Sequence, residues 1–368
     1  MHFSNLFQIF LWARVAVIAS FFITFLLLWN YRNVQNSSQY HANSKGKFVF
    51  EENCTRSGWN LNTTAERTMD YGTSFIISFA DIQKTYKWLY LPETDIVLRS
   101  PDILMMVASR TDSFARRNVL RKTWMNKNYS EIVRDGRMKA LFLVGMVSED
   151  YRVRRIVMEE AKLYGDMVVI DLEDTYDDLP FKSLSLLLYA VSKAPEFKVI
   201  GKIDEDVMFF PDKLIPLLDG KVIDPDAAAF YGQLLKEGEP VIKKKDAHWY
   251  VPDYAYNCTG YPAYVAGPFY LATRKAAKLV LKFTKFQNFM TVEDSLITGI
   301  LANDLGIPRK NLEHVYRHDY DIQDNEGKEI LAWHSFKNNI PYRNFFVKRV
   351  ARHRYEQNLS NMLLEINR

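Results

Sequence analysis

The sequence predicts an α/β fold: a mixed, mostly parallel sheet flanked by helices. Two observations carry that expectation. Between residues 102 and 204, short apolar runs alternate with segments of helical period, the signature of βαβ units. With 48% of its 368 residues apolar, the chain can also bury a sizeable core.

The elements follow in order from the N-terminus. Leu6 to Trp29 reads LFQIFLWARVAVIASFFITFLLLW and carries a single charge, Arg14. About 20 apolar residues span a bilayer. With Arg14 snorkelling to the near face, residues 15–31 form a transmembrane anchor and residues 1–14 a short cytosolic tail. A cleaved signal peptide is the alternative, but no small-x-small site closely follows the apolar run. Asn-x-Ser/Thr sequons occur at Asn36, Asn53, Asn62, Asn128, Asn257 and Asn358, all beyond that run. Their one-sidedness favours a type II protein with a luminal or extracellular body, its sequons open to glycosylation. Residues 32–95 are polar and irregular and read as a stem. Within them, SFIISFADI (74–82) reads as a local strand with no assigned neighbour.

From residue 96 to 368 the pattern is that of a folded domain. DILMMVAS (102–109), KALFLVGMV (139–147), DMVVIDL (166–172) and FKVIGKID (197–204) are the apolar runs expected as buried strands. Segment 113–126, EDYRVRRIVMEEAKLYG (149–165) and KSLSLLLYAVSKA (182–194) are the helices between them. Further on, AAFYGQL (228–234) and VAGPFYLAT (265–273) read as strands, RKAAKLVLKF (274–283) and EDSLITGILANDLG (293–306) as helices.

Composition narrows the function classes. Lys plus Arg number 48 against 44 Asp plus Glu, a surplus of 48 − 44 = 4 that leaves no footprint for nucleic acid. Two cysteines, Cys54 and Cys258, are too few for a disulfide framework; they can pair once or stay free. The seven histidines are scattered, against the ligand clusters of a metal-dependent phosphoesterase.

The stretch GKIDEDVMFF (201–210) raises the chemical question. It sets Asp204, Glu205 and Asp206 at the end of an apolar strand, where an unpaired buried carboxylate costs several kcal/mol or takes up a proton. In open α/β sheets ligands bind beyond the carboxyl ends of the strands. Asp-x-Asp puts two carboxylates on one side of an extended backbone, suited to manganese or magnesium with substrate phosphates. A solvated acidic turn is the plainer reading of such a triplet.

The surrounding motifs carry a resemblance. KIDEDVMFFPDKL, ARRNVLRKTW (115–124), YGDMVVIDLEDTYDDLPFK (164–182), YPAYVAGPFYLAT (261–273) and VEDSLITGILANDLGI (292–307) resemble, in order, blocks of the β-1,3-glycosyltransferases of glycosyltransferase family 31. The likeness runs from about Arg110 to His334. It departs at Glu205, where Asp is usual, at Pro268 and at Ser295. What it implies is a GT-A type fold, a UDP-sugar donor, manganese and a Golgi address. The activity implied is inverting transfer of galactose or an N-acetylhexosamine to a glycan acceptor; a non-catalytic luminal lectin or chaperone of the same fold is the alternative.

Residue roles follow from the resemblance joined to the chemistry. Asp206 is the first metal ligand, Asp204 touches ribose or a metal-bound water, and His334 in LAWHSF is a further metal ligand or else a core histidine. Asp294 is the candidate base, although a helix-initial acid stabilised by the helix dipole is its plainer reading. Glu293 is expected at the acceptor or in a structural hydrogen bond. Arg117 and Arg121, four apart on one helical face, are expected at the donor, with Lys202 and Glu205. The aromatic segment from Trp249 to Tyr264 is expected to supply a surface for the acceptor sugar, those two residues foremost.

Overall fold

The computed structural model describes residues 58–93, 102–146, 150–318, 328–334 and 336–366. The expected tail, the anchor at 15–31, and sequons Asn36 and Asn53 lie outside the described residues. No helix among the described residues is long and apolar enough to cross a membrane.

Ten strands form one mixed sheet. They are β1 (Met69–Asp70), β2 (Ser74–Ser78), β3 (Gln83–Tyr90), β4 (Ile103–Ser109), β5 (Met138–Gly145), β6 (Met167–Ile170), β7 (Val199–Asp204), β9 (Phe230–Leu235), β10 (Tyr264–Thr273) and β11 (Arg309–Asn311), in the order β1-β2-β3-β6-β5-β4-β7-β10-β9-β11. A second, three-stranded sheet joins β8 (Met208–Phe209), β12 (Val315–Tyr316) and β13 (Ala332–Trp333) in the order β12-β13-β8. The longer helices are α1 (Phe114–Arg121), α2 (Tyr151–Tyr164), α3 (Leu179–Lys193), α4 (Arg274–Phe283) and α5 (Asn339–Ile366).

The expectation of a mostly parallel sheet holds only for its centre. Strands β6, β5, β4 and β7 are mutually parallel, as their helical crossovers require. β10 turns antiparallel against β7, and the N-terminal hairpin adds antiparallel strands at the other edge.

The hairpin corrects the expected stem. Strand β3 pairs with β6, so from β1 onward the chain belongs to the sheet. Its sequence, QKTYKWLY, buries Tyr86 and Trp88 and exposes Gln83, Thr85 and Lys87 between and before them, a half-buried strand's alternation. Phe75, Ile77 and Phe79 are fully buried beneath α3 and its neighbours.

Apolar residues fill both faces. Along β4, Leu104 and Met106 belong to one core cluster with α3 and α4, while Ile103, Met105 and Val107 belong to the other with α1, α2 and α5. This is why the central strands read as continuous apolar runs rather than as alternation.

Candidate active site

Strand order locates the site. β4 is followed by β5 on one side, and the chain later returns to place β7 on the other. The reversal between β4 and β7 is a topological switch point, where ligands bind beyond the strand ends. Asp204 ends β7 directly across from Ala108 of β4. A turn follows, closed by the Val207 amide donating to the Asp204 carbonyl at 3.2 Å.

The second sheet brings in the histidine. β8 pairs with β13, and the Phe336 amide donates to the Asp206 carbonyl at 2.8 Å. His334, one residue past β13, therefore arrives beside Asp206, its Nε2 3.4 Å from Oδ2. Its Nδ1 lies 2.9 Å from the Arg317 carbonyl, a partner that only an N–H there can serve, so Nε2 faces the acid. Asp204, Asp206 and His334 each offer a ligand atom within 4.8 Å of the others. Burial pushes the imidazole pKa down, but the Asp206 hydrogen bond and charge outweigh it and hold His334 above its ordinary value. For Asp206, burial is likewise outweighed by His334, and its carboxyl sits below the usual range.

The cation that the acidic triplet demanded is Lys202. Fully buried, its Nζ lies 2.7 Å from Asp204 Oδ1, 2.6 Å from the Gly267 carbonyl and 3.9 Å from Glu293 Oε2. It joins the triplet to the second acidic pair, Glu293-Asp294. Glu293 is buried, accepts from the Tyr270 hydroxyl at 2.9 Å, and is pushed up to about 7 by burial. Asp294 is only partly buried. Its two oxygens accept from the amides of Gly267 (2.9 Å) and Ser295 (2.8 Å), and burial holds its carboxyl above the usual range against those bonds.

One residue serves both halves. The pairing of β10 with β9 slips between Val265 and Tyr270, and inside that irregularity Gly267 gives its N–H to Asp294 and its C=O to Lys202. A Cβ there would stand 3.2 Å from Asp294 Oδ2 and 3.3 Å from Glu293 Oε2, so glycine is what allows the approach. Beyond Asp294 the chain winds as a π-helix (Ser295–Leu301), a form often found at functional sites.

Several expected residues sit elsewhere. Arg117 and Arg121 share a face, as their spacing requires, but that face meets protein. Arg117 is fully buried on Glu160 and Ser109, and Arg121, partly buried, sits on Glu160 and Asp166. Neither guanidinium is turned to the cleft, because internal carboxylates match both forks. Glu205 turns back from the donor position to accept from Ser109 Oγ (2.7 Å), Ser113 Oγ (2.5 Å) and the Arg110 amide (3.3 Å), which fixes the β4–α1 loop. Glu293 is buried, held by the Tyr270 hydroxyl and Lys202, the structural hydrogen bond of the two readings the sequence offered. Tyr264 is core, packed on Tyr261, whereas Trp249 is 52% exposed. Asn62, Asn128 and Asn257 are exposed; Asn358 lies on α5.

Two residues escaped the sequence reading. Arg116 sends Nη2 to the carbonyls of Phe336 (2.5 Å) and Lys337 (2.6 Å) and leaves Nη1 buried with no partner, with Asp206 and Glu205 in its field. Helical periodicity, which sets it on a different face from Arg117 and Arg121, was the available signal. Tyr176 carried no signal beyond its motif; the tertiary structure sets it beside Trp249, whose Nε1 donates to its hydroxyl at 2.7 Å.

Comparison with known proteins agrees with this geometry. The family described as galactosyltransferase matches residues 115–313. The β-1,3-galactosyltransferase bre-2 of Caenorhabditis elegans is 45% identical over 86% of this chain and 85% of its own length. A lactosylceramide 1,3-N-acetyl-β-D-glucosaminyltransferase of Xenopus tropicalis is 27% identical over 58% of this chain and 56% of its own. A rat UDP-GlcNAc:βGal β-1,3-N-acetylglucosaminyltransferase 7 is 31% identical over 56% of this chain and 51% of its own. A solved glycosyltransferase involved in the glycosylation of the major capsid of PBCV-1 covers 67% of this chain and 99% of its own, at 12% identity and a TM-score of 0.39, too loose a likeness to build on. The chain belongs to the galactosyltransferase family and is a glycosyltransferase.

Proposed function

We propose that this protein is an inverting β-1,3-glycosyltransferase of GT-A type, moving galactose or an N-acetylhexosamine from a UDP-sugar to a hydroxyl of a glycoprotein or glycolipid glycan. The observation that carries the reading is the Lys202 link: it pairs with Asp204 of the Asp204–Asp206–His334 cluster and, through Glu293 and the Gly267 carbonyl, with the segment that holds Asp294.

The donor set fits a hard divalent cation, manganese by the family resemblance. Two carboxylates and an imidazole converge, and the Nδ1 contact with the Arg317 carbonyl fixes the ring as metal-ligating histidines are commonly fixed. Such an ion supplies positive charge to a departing diphosphate.

Asp294 takes the proton of the acceptor hydroxyl as that oxygen attacks the anomeric carbon. The bond from that carbon to the UDP oxygen breaks, UDP leaves with the electron pair, and the configuration inverts. Burial raises the Asp294 carboxyl toward the operating pH, which strengthens it as a base. Gly267 and Ser295 hold it in place through both oxygens. Glu293, Tyr270 and Lys202 form the buried floor beneath it.

A binder without turnover has no use for a poised carboxylate over such a floor, which weighs against the lectin or chaperone reading. UDP release from common UDP-sugars, with an acceptor panel and with or without EDTA, tests the proposal. The expected result is acceptor-dependent release abolished by EDTA and restored by manganese; glycan binding with no release from any donor would replace the enzyme by the binder.

We place residues 15–31 in the Golgi membrane with the folded body luminal, supported by exposed sequons at Asn62, Asn128 and Asn257. Endoglycosidase-sensitive mass on the expressed chain checks this orientation.

A further inference from the structure

The floor of the site is accounted for by buried charge, but an aromatic cluster beside it is not. Two loops from distant parts of the chain supply it. The segment between β6 and α3 carries Tyr176, 41% exposed. The long segment between β9 and β10 carries His248 and Trp249, both exposed. The Trp249 indole N–H donates to the Tyr176 hydroxyl at 2.7 Å, and the Tyr176 and His248 rings lie 4.3 Å apart at 35°.

Both loops are anchored to the catalytic frame. Lys182 bonds Asp174 at 2.6 Å and the Ser109 carbonyl at 2.8 Å, pinning the first loop to the end of β4. Thr175 and Lys84 hold Asp178 on the same loop. The second loop returns through Pro262 and Tyr264, onto which the helix headed by Asp294 packs so closely that a Cβ at Gly299 would stand 3.1 Å from that of Tyr264. Asp294 and Glu293 also act on the Tyr176 phenol, whose pKa burial already raises. The cluster therefore stands near the end of β4, within electrostatic reach of Asp294.

Three flat rings, partly apolar and edged by an O–H and an N–H, are not core: they face solvent at half their area or near it. Their chemistry suits the C–H face of a pyranose with hydroxyl contacts at its rim. We propose that Tyr176, His248 and Trp249 form the acceptor subsite, on which the sugar ring presenting its hydroxyl to Asp294 stacks. This rests on the glycosyltransferase reading above. Tyr176 is a binding residue here, with Trp249 holding its ring and hydroxyl in register.

The full-length chain in detergent tests the proposal with methyl β-glycosides of galactose, N-acetylglucosamine and N-acetylgalactosamine as acceptor probes. Trp249→Ala and Tyr176→Ala each raise the acceptor KM by about tenfold, a loss expected of one stacking surface, and leave the KM for the UDP-sugar within about twofold. Tyr176→Phe keeps the ring and loses the hydroxyl, with a rise of about threefold. Acceptor KM values unchanged in both alanine variants, in chains that melt like the parent, would overturn the subsite. Titration calorimetry with the same glycosides separates it from the catalytic reading. If the parent binds a glycoside yet transfers nothing, weaker binding by the alanine variants keeps the subsite while the enzyme reading falls. Unaltered binding overturns the subsite whatever the parent catalyses.

Discussion

Two charged clusters, both assembled from basic and acidic side chains near the same end of the sheet, differ in their balance. Around Glu160 the charges close on themselves: Arg117 and Arg121 share its two oxygens, and Asp166 takes the remaining face of Arg121. Around Lys202 they do not close. Asp204, Glu293 and Asp294 act on one buried lysine, Asp206 stands beside Asp204 and is met by His334, and Arg116 keeps an unpartnered buried nitrogen with Asp206 in its field. A closed cluster is bound up with the fold, because removing any one partner strands a buried charge. An open one holds unmet electrostatic demand, which the proposed function assigns to a cation, a diphosphate and a proton.

The comparison predicts different phenotypes for the two clusters. The largest effect is expected at the open one: Asp206→Ala should lower transfer on the order of 10⁴-fold, by removing charge stabilisation worth several kcal/mol, with the melting temperature little changed. Transfer at the parental rate in a UDP-release assay would break the assignment of an open cluster. Asp294→Asn comes next, with kcat reduced on the order of 10³-fold while UDP binding by calorimetry is retained.

At the closed cluster the loss should be of stability. Arg117→Ala leaves buried acid unmatched and should cost about 3–5 kcal/mol in chemical unfolding. A stable Arg117→Ala protein with a raised donor KM would return this arginine to the donor site. The smallest effect concerns pH. Both carboxyls of the Glu293–Asp294 pair lie above their ordinary values, so kcat should fall as pH drops through that raised range and the base takes up its proton. Besides Glu293, the groups facing Asp294 are Lys202, Arg317, Tyr176, Tyr261, Tyr264 and Tyr270. Glu293→Gln removes the carboxyl that is pushed up to about 7, so the part of the acid limb near neutral pH should disappear while the Asp294 part stays. An unchanged limb near neutral pH would show that Glu293 does not contribute to it.

Legibility in the sequence followed the range of the interaction. The central strands and the helices between them were placed to within a few residues, since periodicity is local. The triplet's place at a strand end was visible for the same reason. Strand β3 was missed, although β2 was read as a strand and Tyr86 and Trp88 alternate with polar residues, because the irregular residues around it masked a short signal. Arg117 and Arg121 were assigned to the donor because their partner, Glu160, lies 39 and more residues away in sequence.

By itself the sequence determined which segments become strands and helices, and that an acidic triplet would need a positive partner. These are consequences of side-chain period and of the cost of burying charge. Only the tertiary structure decided which cation answers, which acids stay open and which aromatic rings face solvent. Lys202 reaches Glu293 and Gly267 only because β10 runs antiparallel beside β7 and breaks register at the glycine. Charge matching acts over a few ångströms of space, and a chain's order does not state which distant residues those few ångströms will contain.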